Sequence, residues 1–209
     1  MGNSKNEALG RDQAWEILVE YVKDPGLRRH MLAVEAAMRA YAERLGHDQE
    51  TWGMAGLLHD FDWEIHPTSE QHPKEGAPIL RERGVGEEVV QAILAHNPAG
   101  SGVHASAPMD YALLACDEIT GLIIGATLVR PAKDVRLLKV KSVKRNWKDK
   151  HFCAAVDRGE IQQLTEDFSA QCFDGELELW QHVGHVLEAM KGQAEVLDLD
   201  GRLAADQSP

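Results

Sequence analysis

From Leu27 to Leu45 the apolar residues return at steps of three and four: Leu27, Met31, Val34, Met38, Tyr41 and Leu45. That is the period of one face of an α-helix, and a chain built on it must bury the stripe against other helices. Asp24 stands where an N-cap belongs, Pro25 at the first helical position and Gly46 just past the end. No segment keeps up the apolar-polar alternation of a half-buried strand, so an all-α fold is expected.

Further helices are expected over residues 12–23, 48–60, 72–83, 86–96 and 107–128, the last being the most hydrophobic. In the third helix Trp52, Met54, Leu57 and Leu58 should face inward. A basic segment, 130–150, and two or more C-terminal helices ending near Lys191 follow. The expected organisation is a single helical domain over 1–193, with 194–209 as a flexible polar tail, and there is no internal repeat.

With 209 residues, 44% hydrophobic and 27% charged, the chain has globular composition and can bury a substantial core. Its net charge of −12 argues against a general nucleic-acid binder, because polyanion binding draws on basic surface. Cys116, Cys153 and Cys172 are odd in number and far apart, with no CxxC pair. They fit neither a disulfide framework nor a cysteine zinc site, and a reducing compartment suits them. The run over 111–129 is interrupted by Asp117 and Glu118, short of the roughly 20 apolar residues of a membrane span. The opening MGNSKN has no hydrophobic signal core, and Asn6 stands where a myristoylation motif needs Ser or Thr. A soluble cytoplasmic chain, with homo-oligomers open to it, is the expectation.

Several catalytic signatures are missing: no GxxxxGK loop, no GxGxxG turn, no HExxH helix and no GxSxG elbow. What stands out instead is where histidines and acids fall on the apolar faces. His30 lies at the edge of the stripe that holds Leu27 and Val34, His59 and Asp60 follow Leu57 and Leu58 directly, and His96 comes three residues after Ile93. Asp117 is embedded in YALLACDEITGLIIGA. A lone histidine there is more often a hydrogen-bonded core residue than a ligand, and Asp117 alone could equally cap or pair with an arginine, but buried carboxylates are costly unless paired or bound to metal. Imidazoles with carboxylates form the donor set for zinc, iron, manganese, cobalt or nickel, and a carboxylate can bridge two ions.

The ordered pieces resemble the HD-domain metal-dependent phosphohydrolase superfamily: His30 in LRRHMLAVE, His59 and Asp60 in GLLHDFDWE, Asp117 in LLACDEITG. HPKEGAPIL and VVQAILAHNP add His72 and His96, as in the HDIG-like branch. His66 also precedes a proline, but His72 opens the HPxxGA segment as the family pattern does. His47, His104, His151, His182 and His185 lack such context and are expected at the surface or in packing.

The resemblance implies an HD-type helical bundle with additional C-terminal helices and two divalent transition metals at its centre. One metal would take His30, His59, Asp60 and Asp117; the second would take His72 and His96, with Asp60 bridging. It implies hydrolysis of a small phosphate mono- or diester, possibly a nucleotide. A di-iron oxygenase and a non-catalytic metal-stabilised module are the alternatives.

Where many members carry His-Asp-Ile-Gly-Lys, this chain has Phe61, Asp62 and Trp63, so the lysine position is Trp63. Asp60, Asp62 and Glu64 are the candidate catalytic acids. A replacement cation is sought in the 130–150 segment, with nine Lys or Arg against two Asp. Lys141, Lys144 and Arg145 there resemble a KVKSVKK-type run of close relatives and are the candidate substrate-binding groups.

Overall fold

The computed structural model describes residues 9–149, 151–154 and 156–205; the opening MGNSKN, Lys150 and residues 206–209 lie outside them. Among the described residues there are eleven α-helices and no strand: α1 (Arg11–Tyr21), α2 (Pro25–Leu45), α3 (Gln49–Leu58), α4 (Ala77–Glu82), α5 (Glu87–Ala95), α6 (Pro98–Ser101), α7 (Pro108–Leu128), α8 (Val140–Trp147), α9 (Arg158–Cys172), α10 (Leu179–Gly192) and α11 (Arg202–Ala205). A 3-10 turn, Val135–Leu137, sits between α7 and α8. The chain is all-α.

Local chemistry sets these boundaries. Asp24 accepts the Leu27 amide at 2.7 Å and Asp48 accepts the Thr51 amide at 2.8 Å, satisfying donors that the first helical turns leave free. Gly46 closes α2 at φ 75°, a conformation that costs a residue without Cβ little. Helix α3 stops at Leu58, two residues sooner than the sequence suggests, and His59 and Asp60 enter a turn. The expected 72–83 helix shrinks to Ala77–Glu82, with successive turns carrying the chain from Thr68 to Gly76.

The first layer is α2 crossed by α3. Met31, Val34, Met38 and Tyr41 of α2 are buried, and every residue from Trp52 to Leu58 in α3 is buried with them. The two backbones meet at Gly56, where an added Cβ would lie 2.8 Å from Glu35 N and from Val34 C. Only a residue without a side chain lets α3 approach α2 so closely, and this approach brings His59 toward His30.

Helix α7 passes through the centre, against α2, α3, α5, α9 and α10. By length and composition it could cross a membrane, which the broken apolar run had not suggested; here most of it is buried inside the bundle. A hydrogen-bonded post ties three elements together. The Tyr41 hydroxyl lies 2.6 Å from His182 Nδ1, and His182 Nε2 lies 2.8 Å from the Ala115 carbonyl. With Nε2–H donating to the carbonyl, Nδ1 accepts from tyrosine. Burial pushes the His182 pKa down to about 4, so the ring stays neutral and holds this pattern.

The polar segment after residue 193 is a correction to the expected flexible tail. Ala194, Leu197 and Leu199 are buried in the same core as Ala14 and Leu18. Arg29 Nε donates to the Leu197 carbonyl at 2.8 Å, and the Val135 amide donates to Leu199 at 2.8 Å. Alternating acids make this stretch look solvated, while its leucines turn inward.

Replacing Gly56 by alanine should destabilise the chain by about 1–3 kcal/mol, the usual cost of overpacking. Gly121→Ala, where an added Cβ meets nothing within 4 Å, should instead stabilise it by up to about 1 kcal/mol. Urea midpoints of the two variants check the pair; equal midpoints would contradict the close α2–α3 crossing.

Candidate metal centre

Five elements deliver side chains to one point. His30 comes from α2, His59 and Asp60 from the turn after α3, His72 from the loop before α4, His96 from the C-cap of α5, and Asp117 from the middle of α7. His59 and His72 are buried, and the other four are partly so.

Three of the four imidazoles are held by Nδ1. That nitrogen lies 2.8 Å from the Gly56 carbonyl in His59, 2.7 Å from Asp62 Oδ1 in His72, and hydrogen-bonds to the Ile93 carbonyl in His96. These acceptors carry no hydrogen when the carboxylate is ionised, so each Nδ1–H donates and the neutral ring leaves its lone pair on Nε2. In His30, Nδ1 stands 3.3 Å from the Thr120 hydroxyl. The Nε2 atoms then face one another in pairs, His30 with His59 at 3.2 Å and His72 with His96 at 2.9 Å. Two neutral lone pairs at such distances repel unless a proton or a metal cation lies between them.

The carboxylates complete both pairs. Asp60 Oδ2 lies 3.4 Å from His59 Nε2 and 4.0 Å from His30 Nε2, whereas Oδ1 lies 3.1 Å from His72 Nε2 and 3.5 Å from His96 Nε2. Each oxygen of Asp60 thus turns to a different histidine pair. Asp117 Oδ1 joins the first pair, 2.9 Å from His30 and 3.5 Å from His59. Two donor groups, His30–His59–Asp60 and Asp60–His72–His96, have ligand atoms within 4.8 Å of one another. This nitrogen and oxygen set fits a divalent transition metal.

The electrostatics match a site that wants positive charge. Burial opposes ionisation of Asp60, but the His59, His72 and His96 rings outweigh it and hold the carboxyl well below its ordinary range. Asp117 is held low by His59 and His30 against the same burial. Burial also disfavours the His72 cation, yet hydrogen bonds to Asp60 and Asp62 push its pKa up to about 9.

The other candidates are placed differently. Asp62 is buried, and its Oδ1 bonds to Nδ1 of His72, on the opposite side of the ring from the other donors. Its carboxylate lies over Gly76, where an added Cβ would come 2.5 Å from Asp62 Cγ; this is a physical reason for the glycine in HPxxGA. Glu64 is not at the centre, since its Oε1 accepts the Lys23 and Asp24 amides at 2.8 Å each and joins the loop to the start of α2. Trp63 is 40% exposed, with its ring centroid 5.2 Å from that of His72.

The α8 cations do not join the centre either. Lys141, Lys144 and Arg145 are exposed, and Lys144 Nζ lies 5.0 Å from the Trp180 ring centroid. Among the described residues no hydrogen bond or ion pair links them to the six donors. His66 hydrogen-bonds to none of the six donors among the described residues.

Three residues had no role in the sequence reading. Thr120 meets His30. Asn97 Nδ2 donates to the His72 carbonyl at 2.6 Å and to the Ser69 carbonyl at 2.9 Å, clamping the His72 loop to the end of α5. Glu118 follows Asp117 on α7; burial first, then the neighbouring Asp117 charge, pushes its pKa up to about 7. Its only sequence signal is an acid inside an apolar helix.

A family model for the HD domain matches residues 27–117, the stretch that carries all six donors. Ribonuclease Y of Nitratidesulfovibrio vulgaris is 34% identical over 103 residues, covering 47% of this chain and 18% of that protein. Ribonuclease Y 2 of Levilactobacillus brevis is 32% identical over 98 residues, covering 46% of this chain and again 18% of the relative. The chain therefore spans less than a fifth of the length of these relatives, and no solved structure matches it. Over residues 27–117 this chain matches the HD domain, consistent with the HD-domain phosphohydrolase superfamily.

Proposed function

We propose that the centre holds two divalent transition metal ions and hydrolyses a small phosphate mono- or diester. The observation that carries this reading is the division of Asp60, one oxygen toward His30 and His59 and the other toward His72 and His96. His30, His59, Asp60 and Asp117 would hold one ion; Asp60, His72 and His96 would hold the other. Manganese, iron, cobalt, nickel and zinc all suit the donors. Bound there, the pair supplies polarisation of a phosphoryl oxygen and activation of water near neutral pH.

The chain's own residues set the stage for that chemistry. Asp60 fixes the spacing between the two donor groups. Asp62 and the Gly56 and Ile93 carbonyls keep the Nε2 lone pairs pointing inward, and Thr120 supports His30. Glu118, half-buried and next to Asp117 in the chain, makes no hydrogen bond among the described residues. With Trp63 at the position of the family's lysine and the α8 cations turned to solvent, phosphate charge would be met by the metals themselves.

The relatives named ribonucleases raise RNA as a second substrate. The net charge of −12 opposes a long polyanion, so a short ester is the better fit.

Metal analysis tests the donor assignment. The wild type should carry two ions per chain, His72→Ala or His96→Ala one, and Asp60→Ala neither; full content in the histidine variants would reduce the site to one ion. Asp62→Asn should lower metal affinity or turnover by roughly 10–100-fold, as loss of a ligand's supporting partner does. A manganese- or cobalt-loaded chain should cleave generic phosphate esters and leave an RNA oligomer largely intact. An iron form that consumes O₂ without ester cleavage would contradict the hydrolase reading.

Loading should also depend on pH. A metal needs neutral His72, whose proton is retained to about pH 9 in the metal-free chain, so affinity rises with pH from the ordinary imidazole range to about 9 and then levels. Competition with a chromogenic chelator measures this, with a slope of roughly tenfold per pH unit for each proton released. A flat profile over that window would contradict the assignment.

A further inference from the structure

Beside the centre lies a cavity of about 380 Å³, walled by the end of α5, the α6–α7 connection, α7 and α9. That is the size of a site for a small organic molecule. One of its walls is His96, itself a candidate metal donor, and another is Leu114, one turn before Asp117 on α7. The cavity therefore adjoins the place where a phosphoryl group would react. Helix α9 closes its far side and lies outside the 27–117 match.

The lining has a definite chemistry. Leu114 and Leu164 offer an apolar surface, and Tyr111 is fixed by its hydroxyl donating to the Ala105 carbonyl at 3.2 Å. Two carboxylates of α9, Glu160 and Asp167, line the cavity together with His104. Asp167 spends Oδ1 on Gln163 at 2.9 Å. No Lys or Arg is among the described lining residues. Two acids on a helix surface would specify nothing alone, but these border a walled cavity that shares a side chain with the metal donors.

We propose that this cavity is the specificity pocket of the centre and receives the cationic, amine-bearing arm of a phosphate ester whose phosphate sits at the donors. The proposal rests on the hydrolase reading above. An ammonium group entering the cavity meets Glu160 and Asp167, and the methylenes behind it meet Leu114 and Leu164. A second phosphate in the same place meets like charge, which disfavours nucleoside di- and triphosphates along with RNA.

The test compares aminopropyl phosphate with butyl phosphate, two esters of nearly the same shape that differ in one charge. The metal-loaded wild type should favour the amine in kcat/KM by roughly fivefold or more, the scale of a partly exposed ion pair. Glu160→Gln combined with Asp167→Asn should bring the ratio to within about twofold of one. Leu164→Trp, which fills the cavity, should raise KM for both esters while metal content stays at the wild-type value. Equal or reversed preference in the wild type, or a preference that survives the double variant, overturns the proposal.

Calorimetry with the non-hydrolysable aminopropyl- and butylphosphonates separates the two layers of the argument. If neither ester is cleaved but the amine phosphonate binds more tightly and the double variant removes that gap, the hydrolase reading fails and the pocket stands. If both esters are cleaved at equal rates, the reading stands and the pocket falls; if neither phosphonate binds, the pocket falls as well.

Discussion

The mutual facing of imidazole lone pairs and carboxylates inside a helical bundle is the constraint that the other elements serve. Taking such groups out of water is costly, and the cost is offset only where each has a partner. Here the outer side of each ring is bonded to a carbonyl, a carboxylate or a hydroxyl, and the inner side faces another donor. A cation in the middle would relieve repulsion that the apolar core around it sharpens. The Gly56 crossing and the Gly76 hollow under Asp62 both make the room that brings these groups together.

The six candidate donors, which the structure brings together, stood out in the sequence for two different reasons. His30, His96 and Asp117 are polar residues at positions where helical period demands burial, and only pairing or metal excuses them there. His59 and Asp60 gained meaning from their neighbours in the ordered set, and His72 was chosen over His66 only by resemblance. The structure adds the reason, since the Asp62 carboxylate reaches His72 Nδ1. The α2 caps at Asp24 and Gly46 were equally legible, because cap chemistry is local.

What was misread depended on distant partners. Glu64 follows the His-Asp pair closely, yet its role is set by amides of Lys23 and Asp24, some forty residues earlier in the chain. The basic run 130–150 reads as an anion site by its charge density alone; in the structure Lys144 lies over the Trp180 ring and Val143 is buried, with no bond to the donors among the described residues. Residues 194–205 have too many acids to read as core, and only the bonds from Arg29 of α2 and Val135 of the 3-10 turn show how Leu197 and Leu199 are held inward. The cavity was invisible for the same reason, as it needs α9 laid against α7.

The HD segment supplies the donors and the C-terminal helices supply much of what surrounds them. Helix α10 braces α2 and α7 through His182, and α9 lines the approach to His96. The measurement that bears most directly on the two-ion centre is anomalous X-ray scattering from crystals of the manganese-loaded chain. Two peaks about 3.5–4 Å apart are expected. Asp60 should lie between them, with His30, His59 and Asp117 around one and His72 and His96 around the other. A single peak, or peaks away from Asp60, would contradict the account.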